Sequence, residues 1–309
     1  MRGSYSGNTL AFQAKARSSI LLPRSNYNKN IMKIFDCFTF HNELDLLELR
    51  LKEHWDHVDY FVISEANLTH QGARPKNFYL ADNWERFKPF KDKIIHVKVD
   101  DMPDDPLKVW QREHYQRNSL KRGLSLADPD DIICVSDCDE LLRPTTWNTI
   151  RNDQDHTIWG SKAHTFNFKF NYVLMDDVPH RYGIFNMAVR AKERLMPQEI
   201  RDLRVELEKR TDAMIIEQGG WHFSFLGDTK FVREKINNWA HQEFSYIQTY
   251  ADVDLSIQLN RGIDPRVNEP YRAVLLDEYF PTTVLENPSQ WEKYIISNDN
   301  LSSIANLFV

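Results

Sequence analysis

The segment best equipped for chemistry is Asp131–Arg143, which reads DIICVSDCDELLR. A buried-strand run, Asp131–Ser136, leads directly into Asp137, Cys138, Asp139 and Glu140. Two aspartates spaced i,i+2 can place their oxygens around one hard divalent cation while a substrate diphosphate supplies the other ligands. In open α/β sheets, ligands bind at the carboxyl ends of strands, which is where these acids fall. The same acids would also suit the start of a helix, where they complement its dipole. Spacing by itself leaves both readings open.

The other reactive side chains say less. Cys138, between the two aspartates, reads as packing. Cys134 and Cys138 are four apart, poor spacing for zinc, and three cysteines (Cys37 is the third) cannot build a disulfide framework, so a reducing compartment fits. His54 and His57, i,i+3 at a helix end, read as surface histidines, with a ligand pair as the alternative. The chain has 10 glycines, and none forms a G-x-G-x-x-G, a P-loop or a G-x-S-x-G elbow; H-E-x-x-H is missing too. Dinucleotide oxidoreductases, P-loop NTPases, α/β-hydrolases and zincins therefore lose their usual signatures.

The elements that must position the acids alternate between strand and helix. Ile34–Phe40, Val58–Ser64, Ile94–Val99 and Asp131–Ser136 are short apolar runs with the look of buried strands. Between them, Asn42–Trp55 sets Leu44, Leu47, Leu51 and Trp55 on one helical face, and Asp105–Gly123 reads as a helix with a glycine stop. This predicts an α/β fold with a mostly parallel central sheet flanked by helices. His164–Tyr172 alternates aromatic and polar residues as an antiparallel strand does, with Gly183–Arg190 as its partner, so an antiparallel extension is expected. Phe231–Tyr250 looks helical, and the tail punctuated by Pro265, Pro270, Pro281 and Pro288 should wrap the surface.

Composition sets the outer bounds. The 309 residues are 41% hydrophobic and 27% charged, as in a soluble globular domain. No apolar run approaches the ~18 residues of a helical membrane span. Residues 1–31 hold five basic residues and no acid, so the remainder carries 34 basic against 45 acidic residues, net −11. Such an acidic body argues against nucleic acid as a partner and suits cations. Residues 1–31 are expected to be a flexible leader or non-native extension, and residues 32–309 a single domain.

A set of ordered motifs adds to this reading. Ile34-Phe-Asp-Cys-Phe-Thr-Phe-His-Asn-Glu comes first, followed by Ile63-Ser-Glu-Ala-Asn-Leu-Thr-His-Gln-Gly with Pro75-Lys76. Gln116-Arg-Asn, Val135-Ser-Asp-Cys-Asp-Glu, Gly220-Trp-His-Phe-Ser and His241-Gln-Glu-Phe complete it. In their order and spacing, over roughly Lys33 to Tyr294, they resemble glycosyltransferase family 17. The resemblance implies a GT-A-like fold and a metal-dependent, inverting transfer of a sugar, N-acetylglucosamine from UDP-N-acetylglucosamine, to a glycan hydroxyl. Mn²⁺ or Mg²⁺ would be the cofactor, and the partners a sugar-nucleotide donor and a glycan or glycoconjugate acceptor. Animal members carry an amino-terminal membrane anchor, and no such apolar segment occurs here. The expectation is a soluble cytoplasmic protein, with organelle targeting by residues 1–31 as the alternative.

An inverting transfer needs a countercharge for the leaving diphosphate, a held donor and a base for the acceptor hydroxyl. By the resemblance, Asp139 is the direct metal ligand, Asp137 touches the metal through water or the donor ribose, and His222 completes the metal site. The alternative for His222 is a core histidine beside Trp221. Glu65 would accept hydrogen bonds from uracil or ribose, or be a surface loop acid. Lys76, Arg117 and Lys230 are candidates for the diphosphate, or else solvated cations. Glu243 is the first choice as base, with Asp177 and Glu217 in reserve. Trp221, Trp239 and Phe168 could stack on sugar faces, although helical or strand core packing is the preferred reading for each. Two other classes remain open: a metal-dependent phosphoesterase or nucleotide-sugar hydrolase, and a non-catalytic sugar-binding protein.

Overall fold

A computed structural model describes residues 32–71, 74–103, 109–174, 182–238, 246–247, 249–251, 263, 270–297 and 301–303. Residues 1–31 and the site candidates Asp177, Trp239 and Glu243 lie outside the described residues.

Strand β1 (Ile34–Phe40) sends Ile34, Phe38 and Phe40 into one apolar layer and Phe35 and Cys37 into another. Burial on both faces is why it reads as a continuous apolar run and not as an alternation. Helix α1 (Leu44–His54) covers the first face, burying Leu46, Leu47, Leu49 and Leu51. Strand β2 (Tyr60–Ala66) follows, then the single-turn helices α2 (Tyr79–Asp82) and α3 (Trp84–Phe87). Strand β3 (Ile94–Val99), helix α4 (Val109–Ser119) and strand β4 (Ile132–Asp137) complete a parallel block in the order β3-β2-β1-β4.

Beyond β4 the chain turns antiparallel. It runs through β5 (Glu140–Leu142), α5 (Pro144–Asn152), β6 (Ile158–Asn167), β7 (Tyr172–Leu174) and β8 (Tyr182–Arg190). Helix α6 (Pro197–Asp202), strand β9 (Ala213–Ser224), helix α7 (Thr229–Asn238) and strand β10 (Tyr271–Ala273) follow. β8 pairs antiparallel with β4 and with β6, and β7 and β10 continue the sheet antiparallel. β9 lies parallel to β6 and antiparallel to β5. The expected α/β domain, a parallel block with an antiparallel extension, is the fold found. Among the described residues no helix is long and apolar enough to cross a membrane.

Three expectations change. The aromatic strand starts earlier, at Ile158, and stops at Phe168, whose φ of 65° breaks the extended pleat. Strand β9 went unforeseen, because Gln218-Gly-Gly in its middle reads as a turn. The tail does more than wrap the surface: Phe280, Val284 and Trp291 are buried in the same apolar layer as α1. The predicted helix Phe231–Tyr250 begins at Thr229 and is described to Asn238, with most of its remainder outside the described residues.

Candidate functional site

The acidic turn is a tight link between two strands. β4 ends at Asp137 and β5 begins at Glu140, while the next helix, α5, starts only at Pro144. The acids therefore cap no helix, and the dipole reading falls away. Their backbone is held from below by Arg50 of α1, which is fully buried. Its guanidinium donates to the carbonyls of Asp137 (2.8 Å), Glu140 (2.9 Å) and Cys138 (3.4 Å), and to Ser136 Oγ (2.7 Å). It also grips Asp36 of β1 through two hydrogen bonds, at 2.9 and 2.5 Å. Cys138 is buried, as packing requires.

His54, one turn after Arg50, is no surface histidine. It is fully buried, with Nδ1 2.9 Å from Asp36 Oδ2 and Nε2 2.9 Å from the carbonyl oxygen of Leu142. Burial would raise the Asp36 carboxyl, but Arg50 and His54 outweigh it and hold the group at about 2. Asp36, Arg50 and His54 form one buried network that fixes both ends of the turn. This charged floor was missed because Asp36 sits inside an apolar run and Arg50 inside a leucine-rich helix.

The two aspartates have different surroundings. Asp137 Oδ1 accepts from Arg117 Nη2 (2.9 Å) and Thr39 Oγ1 (3.1 Å), and Oδ2 from Arg201 Nη2 (3.2 Å). Burial disfavours its charge, yet the two guanidinium groups win and hold it well below the usual carboxylate range. Arg117 also binds Glu113 (2.9 Å) and Gln198 (2.6 Å). Its neighbour Gln116 donates to the carbonyls of Phe40, the last residue of β1 (3.2 Å), and of Ser64, two residues before the end of β2 (2.9 Å). The Gln-Arg pair thus ties together the ends of the strands that frame the site. Arg201 of α6 binds Glu140 at 2.7 and 2.5 Å and donates to the carbonyl of Phe185. Nothing in its local sequence distinguishes it from a solvated helix arginine.

Asp139 lies in the link itself. Its Oδ2 accepts from Lys235 of α7 at 2.7 Å, and its Oδ1 stands 3.9 Å from His222 Nε2. The register of β9 against β5 sets His222 opposite Glu140. Gly220 makes that approach feasible, since a Cβ there would lie 2.3 Å from the carbonyl oxygen of Leu141. Burial pulls His222 down to about 4 despite the attraction of Asp139, and Lys235 and Arg201 add to the effect, so the imidazole is neutral at physiological pH. Lys235 is held above the usual lysine range, because Asp139 and Glu43 overcome its burial.

The Asp139–His222 pair passes a chemical test for a divalent cation. A separation of 3.9 Å is too long for a hydrogen bond. Two ligands of one ion at about 2.0–2.2 Å each lie at most about 4.4 Å apart, and about 3 Å apart as octahedral neighbours, so the pair can reach one ion by closing about 1 Å. A neutral imidazole is the form that coordinates. Among the described residues no three His, Cys, Asp or Glu side chains converge on one point, so substrate and water would have to complete the shell. Both oxygens of Asp137 are already engaged by arginines.

The remaining candidates are placed as follows. Glu65, at the end of β2, is fully buried and not a surface loop acid. It accepts from the backbone N–H groups of Tyr79 and Leu80 (3.3 Å), lies 3.0 Å from His96 Nε2 and 3.7 Å from Lys76 Nζ, and so caps α2. Lys76 is nearly buried, and burial lowers its pKa against the pull of Glu65 and Glu43. Lys230 is exposed at the start of α7. Glu217 is also exposed, bound to Tyr182 (2.6 Å) and Lys162 (3.1 Å). It lies five residues back along β9 from His222, on the far side of the bulge at Gln218, and its partners Tyr182 and Lys162 belong to β8 and β6, not to the acidic turn. Trp221 and Phe168 are core residues; the Trp221 indole donates to the carbonyl of Tyr279 at 2.9 Å. Sequence reasoning missed Lys235, although a clue existed: it falls between Val232 and Ile236, the buried residues of α7.

The family model for Glycosyltransferase family 17 matches residues 18–259. Over 115 residues the chain is 30% identical to the beta-1,4-mannosyl-glycoprotein 4-beta-N-acetylglucosaminyltransferase of Rattus norvegicus, covering 35% of this chain and 21% of that protein. The Homo sapiens protein of the same name is likewise 30% identical, over 35% of this chain and 22% of its own length. The matched stretch thus spans about a fifth of these relatives. Among solved structures, a mannosyltransferase from Pyrobaculum calidifontis in complex with GDP-Man and Mn2+ aligns with a TM-score of 0.39 at 12% identity, over 71% of this chain and 65% of that one. The inositol-1-phosphate CTP transferase from T. maritima aligns with a TM-score of 0.38 at 8% identity, over 67% and 94%. With more than half of its length matched by the family model, the chain belongs to glycosyltransferase family 17.

Proposed function

We propose that the protein is an inverting, metal-dependent glycosyltransferase that moves a sugar, N-acetylglucosamine from UDP-N-acetylglucosamine, to a glycan hydroxyl. The observation that carries this reading is the Asp139–His222 pair, a carboxylate and a neutral imidazole facing each other across 3.9 Å on the acidic turn. Family membership supports the transfer chemistry. Asp139 and His222 would hold Mn²⁺ or Mg²⁺, which when bound offsets the charge of the leaving diphosphate. Arg50, Arg117 and Arg201 keep the turn and Asp137 in place, so that the backbone carrying Asp139 is fixed before metal and donor arrive. Glu243, just beyond α7, is proposed as the base for the acceptor hydroxyl.

The test is a titration of UDP-N-acetylglucosamine with and without Mn²⁺, for the wild type and for Asp139→Ala. The expected result is metal-dependent binding that Asp139→Ala weakens by more than about 100-fold, with UDP released once a glycan acceptor is added. Tight binding that survives both metal removal and the substitution would refute the assignment. Phosphate release without UDP release would favour a nucleotide-sugar hydrolase.

A further inference from the structure

Lys235 occupies an oxygen of the proposed metal ligand at the acidic turn. Its ammonium donates to Asp139 Oδ2 at 2.7 Å, while Oδ1 of the same carboxylate faces His222. A second carboxylate is close by: Glu43 Oε1 lies 3.4 Å from Lys235 Nζ. Glu43 is itself fixed, its Oε2 accepting from the backbone N–H groups of His41 (3.2 Å) and Asn42 (3.1 Å). The ammonium nitrogen also stands 5.2 Å from the centre of the Phe225 ring, a cation–π contact, and is already within reach of both acids.

The arrangement sets an ammonium directly against the carboxylate that would receive the ion, in a largely buried place. A divalent ion entering alone would meet that ammonium at close range with little water to screen the two charges, which is costly. An ion that arrives with a nucleoside diphosphate brings its own countercharge.

We infer that Lys235 is a positioning residue that couples metal entry to donor entry: it holds Asp139 in the empty enzyme and yields toward Glu43 and the diphosphate when metal and nucleotide arrive together. This rests on the assignment of Asp139 and His222 as metal ligands. It predicts that Mn²⁺ binds poorly alone and well in the presence of UDP, because of one lysine charge.

The experiment measures Mn²⁺ binding, by the electron paramagnetic resonance signal of the free ion, with and without UDP. It uses the wild type, Lys235→Gln and Lys235→Arg, with thermal melts to confirm folding. Lys235→Gln is expected to bind Mn²⁺ alone about tenfold or more tighter than the wild type, and to lose most of the enhancement by UDP. Lys235→Arg, which keeps the charge, should behave as the wild type. Equal Mn²⁺-alone affinity in the wild type and Lys235→Gln would overturn the inference while leaving the metal site intact. A wild type that takes up no Mn²⁺ even with UDP would defeat the metal assignment, and the inference with it. Should Lys235→Gln not fold, Glu43→Gln provides a separate test: the ammonium loses its alternative partner, and joint Mn²⁺–UDP binding should weaken several-fold. Unchanged joint binding in that variant would also overturn the inference.

Discussion

Replacing Arg50 with leucine should be among the most damaging single changes in this protein, and the damage should depend on pH. Arg50 and Asp36 have no exposed side-chain surface, and the guanidinium makes two hydrogen bonds to Asp36 and others to Ser136, Asp137 and Glu140. Adding these as independent bonds would overshoot, since each replaces bonds to water. The applicable figure is that for breaking a buried ion pair by removing one partner, about 3–5 kcal/mol, against a total stability of about 5–15 kcal/mol. Removing both partners in Arg50→Leu/Asp36→Leu should cost about 2–3 kcal/mol less than the sum of the single changes, since no bare charge stays buried.

The pH dependence has a definite sign. In the wild type Asp36 is depressed from 3.8 to about 2, so its contribution is complete above the higher value and is lost as pH falls through the lower one. Without Arg50 the effect of burial dominates and raises the Asp36 pKa. The deficit of the variant should therefore shrink as acid neutralises the stranded carboxylate. Urea denaturation near neutral pH and at about pH 5 measures both effects, provided the transitions stay two-state. A single-variant cost below about 1 kcal/mol, or additivity of the pair, would refute the account.

Two further predictions follow from the same geometry. Gly220→Ala should destabilise the fold by about 1–3 kcal/mol and weaken Mn²⁺–UDP binding, because the new Cβ would strike the Leu141 carbonyl and push His222 away from the turn; unchanged melting and binding would contradict that close approach. Metal-dependent binding of UDP-N-acetylglucosamine, whose diphosphate is esterified at both ends and takes up no proton in this range, should stay nearly flat from about pH 8 to about pH 5.5 and fall away as pH drops through about 4, where His222 takes up its proton. A titration centred near the ordinary histidine value of 6.5 would show that His222 is either solvated or uninvolved.

The local sequence was a good guide wherever burial on both faces imposed a pattern. β1 and β3 fall on their predicted residues, and the turn holding Asp137 and Asp139 could be read as the end of β4, because a buried strand must be apolar and its chemistry must begin where it ends. β9 was hidden by the glycines it needs to approach β5, and the core role of the tail by its prolines. Lys230 stood out in the sequence and Lys235 did not, since residue type is local and proximity is not.

What the sequence by itself determined is therefore the parallel α/β frame, the family and the pair of aspartates. Only the tertiary structure decided which aspartate is available. Asp137 is neutralised by Arg117 and Arg201, which arrive from two different helices, whereas Asp139 shares itself between Lys235 and His222. The physical reason is that charge strength and ligand geometry fall off over a few ångströms. Those distances are set by strand register and helix packing between residues as far apart in the chain as Glu43 and Lys235, which no local pattern records.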